Sequence, residues 1–306
     1  MNQSEGRFRE ARDGEASGCG ETNGKNAFRS TRGPSRGDLT GEPYRLIMWA
    51  SLYKTIGSLT DSERDFGLAA QRIQEALLTV HVPTVSALDI GVQAAPARQV
   101  GGDYIDLFLL DEHRLVFALG DASGKSLSAA LNALMLRYLV RGLVRVMGSD
   151  DLESITAHTN NIVTDDLRDG DHFITFAIGA IDASSGSLKI VNAGHEPALI
   201  LREGRTSVET MFSRNLVLGV NHNESFVPEE TRLEVGDLIV VYTDGLTEAT
   251  NKDGELFTIE CLKETVQGHR HLGCQQLAAT LFDTVKTYAG QDLRDDATVL
   301  VMRRTH

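Results

Sequence analysis

Four aspartate clusters in this chain each abut an apolar, strand-like run. Gly101-Gly102-Asp103-Tyr104-Ile105-Asp106 lies between two such runs, and Gly120-Asp121-Ala122-Ser123-Gly124 closes the run Leu115 to Leu119. Asp244-Gly245 follows Ile239 to Thr243, and Asp295-Asp296 comes just before Thr298 to Val301. Aspartate is a poor strand former, and an ionised carboxylate at the end of an apolar strand is costly to desolvate unless it is paired. A single Asp-Gly is ordinary turn chemistry. Four clusters against four strands point to convergence on one site, with turn-forming aspartates as the alternative. Carboxylates brought together repel one another unless cations hold them ionised. An oxygen-only donor set selects hard ions such as Mg²⁺ or Mn²⁺, and no Cys/His cluster has zinc spacing.

Around these clusters the chain reads as meandering strands and segregated helices. Strands are expected at Ala87 to Ala94, Tyr104 to Leu110, Leu115 to Gly120, Ala198 to Arg202, Leu238 to Tyr242 and Thr298 to Met302. Phe173 to Ile181 and Leu188 to Asn192 form a hairpin across the turn at 183–186, with a second hairpin turn at 111–113. Leu127 to Met147, apolar nearly all round, is expected to be a helix buried between layers. Leu152 to Leu167 is amphipathic, and Leu277 to Val285 marks a late helix. Such an order favours a layered α+β sandwich over a doubly wound parallel sheet.

Residues 1–40 are rich in Gly, Ser, Arg and Glu and too poor in large apolar side chains to bury a core, so disorder is expected there. Residues 41–82 read as a helical linker or regulatory segment, with an apolar stripe from Phe66 to Val80 in the helix 61–80, and 83–306 as the main domain. That stripe suits packing on the domain, on a second copy or on a separate activator. Net charge is −13, which argues against a nucleic-acid partner. No apolar stretch reaches membrane-span length and the N-terminus is too polar for a signal peptide, so no membrane partner and a cytoplasmic location are expected. Cys19, Cys261 and Cys274 read as unpaired thiols.

Five strings, in order, resemble the bacterial SpoIIE/RsbU-like branch of the PPM (type 2C) protein phosphatases. They are A-R-Q-V-G-G-D-Y-I-D at 97–106, G-D-A-S-G-K at 120–125, N-A-G-H-E-P at 192–197, Y-T-D-G-L-T-E-A at 242–249 and D-D-A-T-V at 295–299, within a match over roughly 70–304. The resemblance implies an α-β-β-α sandwich and a metal-dependent protein serine/threonine phosphatase. It assigns two divalent ions, Mn²⁺ or Mg²⁺, to Asp103, Asp121, the Ala122 carbonyl, Asp244 and one of Asp295 or Asp296, with Asp295 preferred as the direct ligand and Asp296 behind it. Asp103, Asp121 and Asp244 would carry the catalysis, a hydroxide bridging the metals would attack phosphorus in line, and Arg98 would grip the phosphate. The implied substrate is a phosphorylated STAS-domain anti-sigma-factor antagonist in a stress-response pathway of sigma-factor regulation.

Other residues carry weaker assignments. His195 reads as structural, Lys125 as a phosphate neutraliser or helix start, and Thr247 and Glu248 as loop-shaping, with Glu248 as ligand the lesser reading. Ala122 and Ser126 replace the Val and Gly usual in the second motif, and Ser126 suits a helix cap. Ser123 stands in the region where eukaryotic relatives carry a histidine general acid. A catalytically silent pseudo-phosphatase that binds a regulatory partner is the alternative function, but its signature, a missing metal aspartate, is absent. A metallohydrolase of small phosphate esters is a third reading.

Overall fold

The computed structural model describes residues 72–73, 75–97, 101–124, 127–167 and 172–306. Residues 1–40, most of the 61–80 helix, Cys19, Arg98, Lys125 and Ser126 lie outside the described residues.

The chain runs β1 (Leu88–Ala95), β2 (Asp103–Leu109), β3 (Arg114–Ala122), α1 (Leu127–Met147) and α2 (Leu152–Asp166). It continues through β4 (Ile174–Asp182), β5 (Ser187–Ala193), β6 (Ala198–Leu201), β7 (Val208–Met211), β8 (Glu229–Arg232) and β9 (Leu238–Tyr242). It ends with α3 (Asp244–Thr247), α4 (Thr258–Gly268), α5 (Cys274–Tyr288) and β10 (Ala297–Arg304). Two antiparallel five-stranded sheets result, ordered β1-β10-β9-β6-β7 and β2-β3-β4-β5-β8.

Why the strand sequences are apolar on both faces follows from the layering. Alternate side chains leave a strand on opposite sides. On β2 and β3, Ile105, Leu107, Phe117 and Leu119 point to the other sheet, whereas Tyr104, Phe108, Val116 and Ala118 point out to α1 and α2. On β9 and β10, Ile239, Val241, Leu300 and Met302 fill the space between the sheets, and Val240, Tyr242, Val299 and Val301 meet α4 and α5. Both faces of each sheet are thus covered, which produces near-continuous apolar runs. The layered α-β-β-α sandwich expected from the sequence is the one observed.

One expectation needs correction. The α1 helix is not buried between layers; it lies on the outer face of its sheet, and Leu131 and Val146 reach solvent at 37% and 51% exposure. It is long and apolar enough to cross a membrane, yet half of that apolar stretch is buried within the domain. The sheets occupy the centre, so only one side of the helix finds a partner there. Two edge strands, β7 and β8, and helix α4 were not foreseen, because V-E-T-M and E-E-T-R carry no apolar alternation and are half exposed. Asp244 follows β9 as expected, and it opens the one-turn helix α3. Residues 75–78 are helical, and Ile73 and Leu77 pack into the α1 layer. Cys261 and Cys274 are free thiols.

Candidate active site

Strand periodicity places the first two aspartates. Asp103 and Asp121 sit in register across β2 and β3, and each shares the inner face of its strand with the core residues Ile105 and Leu119. Thr298 likewise follows the inward side of Leu300, and Thr243 extends that of Val241. The site therefore forms the last rung of the layer between the two sheets. Both threonine hydroxyls cross that layer to Asp103, donating to its Oδ2 at 2.8 Å from Thr243 and 2.7 Å from Thr298.

The glycines of the first motif are dictated by close approach. A Cβ on Gly101 would fall 1.4 Å from Asp296 Oδ2, and one on Gly102 would fall 2.2 Å from the Ala122 carbonyl oxygen and 2.7 Å from Asp121 Oδ1. No side chain but hydrogen leaves these oxygens in place. The Ala122 N–H donates to the Gly102 carbonyl at 3.1 Å, which fixes that loop against β3, while Asp296 Oδ1 accepts the Ala97 N–H at 2.8 Å.

The carboxylates form two neighbouring groups. Asp103 is fully buried, and its pKa is raised well above the ordinary value by desolvation, then by the charges of Asp121 and Asp296, against lowering by the two threonine hydroxyls. Asp244, more open, is pushed up to about 6 by burial and by Asp295, Glu248 and Glu196. Asp296 thus keeps company with Asp103, and Asp295 with Asp244. Glu196 is an acid that motif reading passed over in favour of its neighbour His195; burial raises its pKa, and its Oε2 accepts the Tyr242 hydroxyl at 3.4 Å. The glutamate in N-A-G-H-E-P was visible, but nothing in its spacing joins it to Asp244. Glu248 adds to the same group from the end of α3.

His195 is buried, and burial pushes its pKa down to about 4, so the ring is neutral. Its Nδ1 meets the Thr175 hydroxyl at 2.9 Å, and Thr175 is the register partner of Asp121. The Asn192 side chain clamps this turn, accepting from the His195 N–H at 2.7 Å and donating to the carbonyls of His195 and Glu196 at 3.0 Å each. Ser123 Oγ accepts the Phe173 N–H at 3.0 Å and lies 3.5 Å from His172 Nδ1 at the rim. Thr247 donates to the Asp244 carbonyl at 3.3 Å.

The donor set suits a hard cation: several carboxylates, one carbonyl, and a loop stripped of side chains where those oxygens stand. Among the described residues no three Asp, Glu, His or Cys side chains already surround one point at ligand spacing. A buried acid raised by like charges, with no basic partner among the described residues, is what a cation would relieve.

Fold and site together define a two-sheet sandwich with a group of carboxylates at one end of the inter-sheet layer, and the fold is that of PP2C phosphatases. Residues 111–305 match the family model for stage II sporulation protein E (SpoIIE), and the chain belongs to that family of PP2C-type protein serine/threonine phosphatases. It is 28% identical over 235 residues to phosphoserine phosphatase RsbU of Bacillus subtilis, covering 77% of this chain and 69% of that protein. A crystal structure of the RsbU and RsbW domains of Rv1364c from Mycobacterium tuberculosis superposes with a TM-score of 0.60 at 25% identity, over 76% of this chain and 63% of the other. The chain thus spans less than two thirds of that solved protein. More distant in sequence, at 14% identity and TM-score 0.52, is the catalytic domain of the serine threonine protein phosphatase PstP, solved with two manganese ions; 72% of this chain covers 99% of it.

Proposed function

We propose that this chain hydrolyses phosphoserine or phosphothreonine on a STAS-domain anti-sigma-factor antagonist, using two divalent ions, Mn²⁺ or Mg²⁺, and so acts in the cytoplasm to regulate a sigma factor. The observation that carries the reading is the meeting of Asp103, Asp121 and Asp296 with the Ala122 carbonyl beside Asp244 and Asp295. The likeness to a phosphoserine phosphatase and to a structure joining RsbU and RsbW domains supports the choice of substrate class.

Asp103, Asp121, Ala122, Asp244 and Asp295 would hold the ions, with Asp296 behind them. When bound, such a pair activates water and neutralises the phosphoryl oxygens. Asp121 projects from β3 opposite Asp103, so the two carboxylates present one face to an incoming phosphate. Gly101 and Gly102 keep that face open, and Asp244 sits at the N-terminus of α3 where it can enter from the second sheet. Arg98, outside the described residues, is proposed to grip the phosphate. The main domain is proposed to span 83–306, with 61–80 meeting an activator or a second copy. Ile73 and Leu77 already pack on the domain, so that meeting would use the remainder of the stripe.

The test is Mn²⁺-dependent phosphate release from p-nitrophenyl phosphate and from a phosphorylated STAS protein. The parent is compared with Asp121→Asn and Asp244→Asn. Activity is expected to vanish with chelator and to fall by at least about 10²-fold in both variants. Chelator-insensitive activity, or full activity in either variant, would refute the reading.

A further inference from the structure

We propose that Thr243 and Thr298 are positioning residues that fasten Asp103 by one oxygen and leave the other for a cation. This makes ion binding depend on two hydroxyls from the opposite sheet, and it rests on the metal-dependent reading above. Both threonines are fully buried. The Thr243 N–H donates to the Thr298 carbonyl at 3.0 Å, and the Thr298 N–H donates to Thr243 Oγ1 at 3.0 Å. Thr243 Oγ1 is therefore occupied as an acceptor, and its proton is directed to Asp103 Oδ2. Thr298 delivers a second proton to the same atom. Neither bond lands on Oδ1. With two donors on one oxygen, each from a side chain stiff at χ1, the carboxylate can neither turn about its Cβ–Cγ bond nor exchange its oxygens without breaking both.

A buried hydroxyl that needs only satisfaction has a cheaper solution in this molecule. Thr156, Thr159 and Thr164 each donate to the carbonyl one helical turn back. Thr243 and Thr298 instead reach across 140 and 195 residues of sequence to one carboxylate. Asp103 and Asp121 belong to one sheet and both threonines come from the other or its continuation, so the packing of the sheets sets the carboxylate's aim. Outer partners of this kind orient a ligand and tune its affinity.

Calorimetric titration of the full chain with Mn²⁺ tests this, comparing the parent with Thr243→Val, Thr298→Val and the double variant Thr243→Ser/Thr298→Ser, with circular dichroism to confirm folding. Each valine variant is expected to lose about 10–100-fold in Mn²⁺ affinity, while the double serine variant, which keeps both hydroxyls, holds the parent value. Folded valine variants that bind Mn²⁺ like the parent would overturn the proposal and leave the metal-dependent reading standing. Should valine prevent folding, the serine pair decides: a loss of affinity there would show that the methyl groups, not the hydroxyls, carry the effect. A parent that binds no Mn²⁺ would overturn the metal-dependent reading and the proposal together.

Discussion

Two buried aspartates of this chain have opposite surroundings, and the contrast separates a structural acid from a functional one. Asp237 accepts the Arg202 guanidinium at 2.9 Å and the backbone N–H groups of Glu203 and Glu234 at 2.7 and 2.9 Å. Those donors outweigh the cost of burying it and lower its pKa from the ordinary 3.8. Among the described residues Asp103 has only hydroxyl donors; it faces two further carboxylates and is shifted the other way. A group whose folded pKa is depressed stabilises the protein above its unfolded pKa and loses that contribution as pH falls through the folded value. Asp237→Asn should therefore cost about 1–3 kcal/mol at pH 7, and the deficit relative to the parent should shrink as pH falls through and below 3.8. Urea unfolding of both proteins at neutral and acid pH checks this; a deficit constant with pH would contradict it.

At the scale of one strand, β2 puts two acids of a single motif to different uses. Asp103 and Asp106 are three residues apart, so alternation sends them to opposite faces. Asp103 faces the other sheet, while Asp106 faces α1, where Arg141 forks onto both its oxygens and Arg137 stands 3.4 Å away. Arg137 also donates to the Ala76 carbonyl, which ties the helical residues 75–78 to the same clamp. Removing the charge leaves two largely buried guanidiniums without their counter-ion, so Asp106→Asn should lose about 3 kcal/mol in urea unfolding. A loss within about 0.5 kcal/mol, the size of an ordinary surface change, would show the clamp to be idle. Near-continuous apolar runs located β2, β3, β9 and β10 to within a residue or two. The edge strands β7 and β8 carry no such signal: unlike the edge strand β2, which is covered on both faces, they are four residues each and half exposed. All-round apolarity likewise misplaced α1, since the number of apolar residues does not say which of them find a layer to cover them.

For the whole molecule, the surplus of negative charge, −13 overall, includes a group of acids gathered at one end of the inter-sheet layer. Folding forces them together, and a cation bound only by the folded state should return that cost by mass action. Mn²⁺ at about a hundred times its dissociation constant should add about 2.7 kcal/mol of stability, read as a rise in Tm that chelator reverses and that Asp121→Asn diminishes. An unchanged Tm would speak against an ion at this site.

Legible along the chain were the apolar runs that build the strands of both sheets, the strand ends on which acids stand, and the motif order that marks the family. These are local or near-local properties: an unbroken apolar run, a glycine beside a carboxylate, an aspartate after such a run. Which acids share a neighbourhood follows from the folded arrangement alone: Asp296 beside Asp103, Asp295 beside Asp244, and Glu196 drawn in from the N-A-G-H-E-P motif. It alone brought Thr243 and Thr298 to Asp103. The contacts of Asp103 with Thr243, Thr298 and Asp296 cross between the sheets, and those of Asp244 with Asp295 and Glu196 join neighbouring strand ends of one sheet, so register and packing, rather than spacing along the chain, set which oxygens meet.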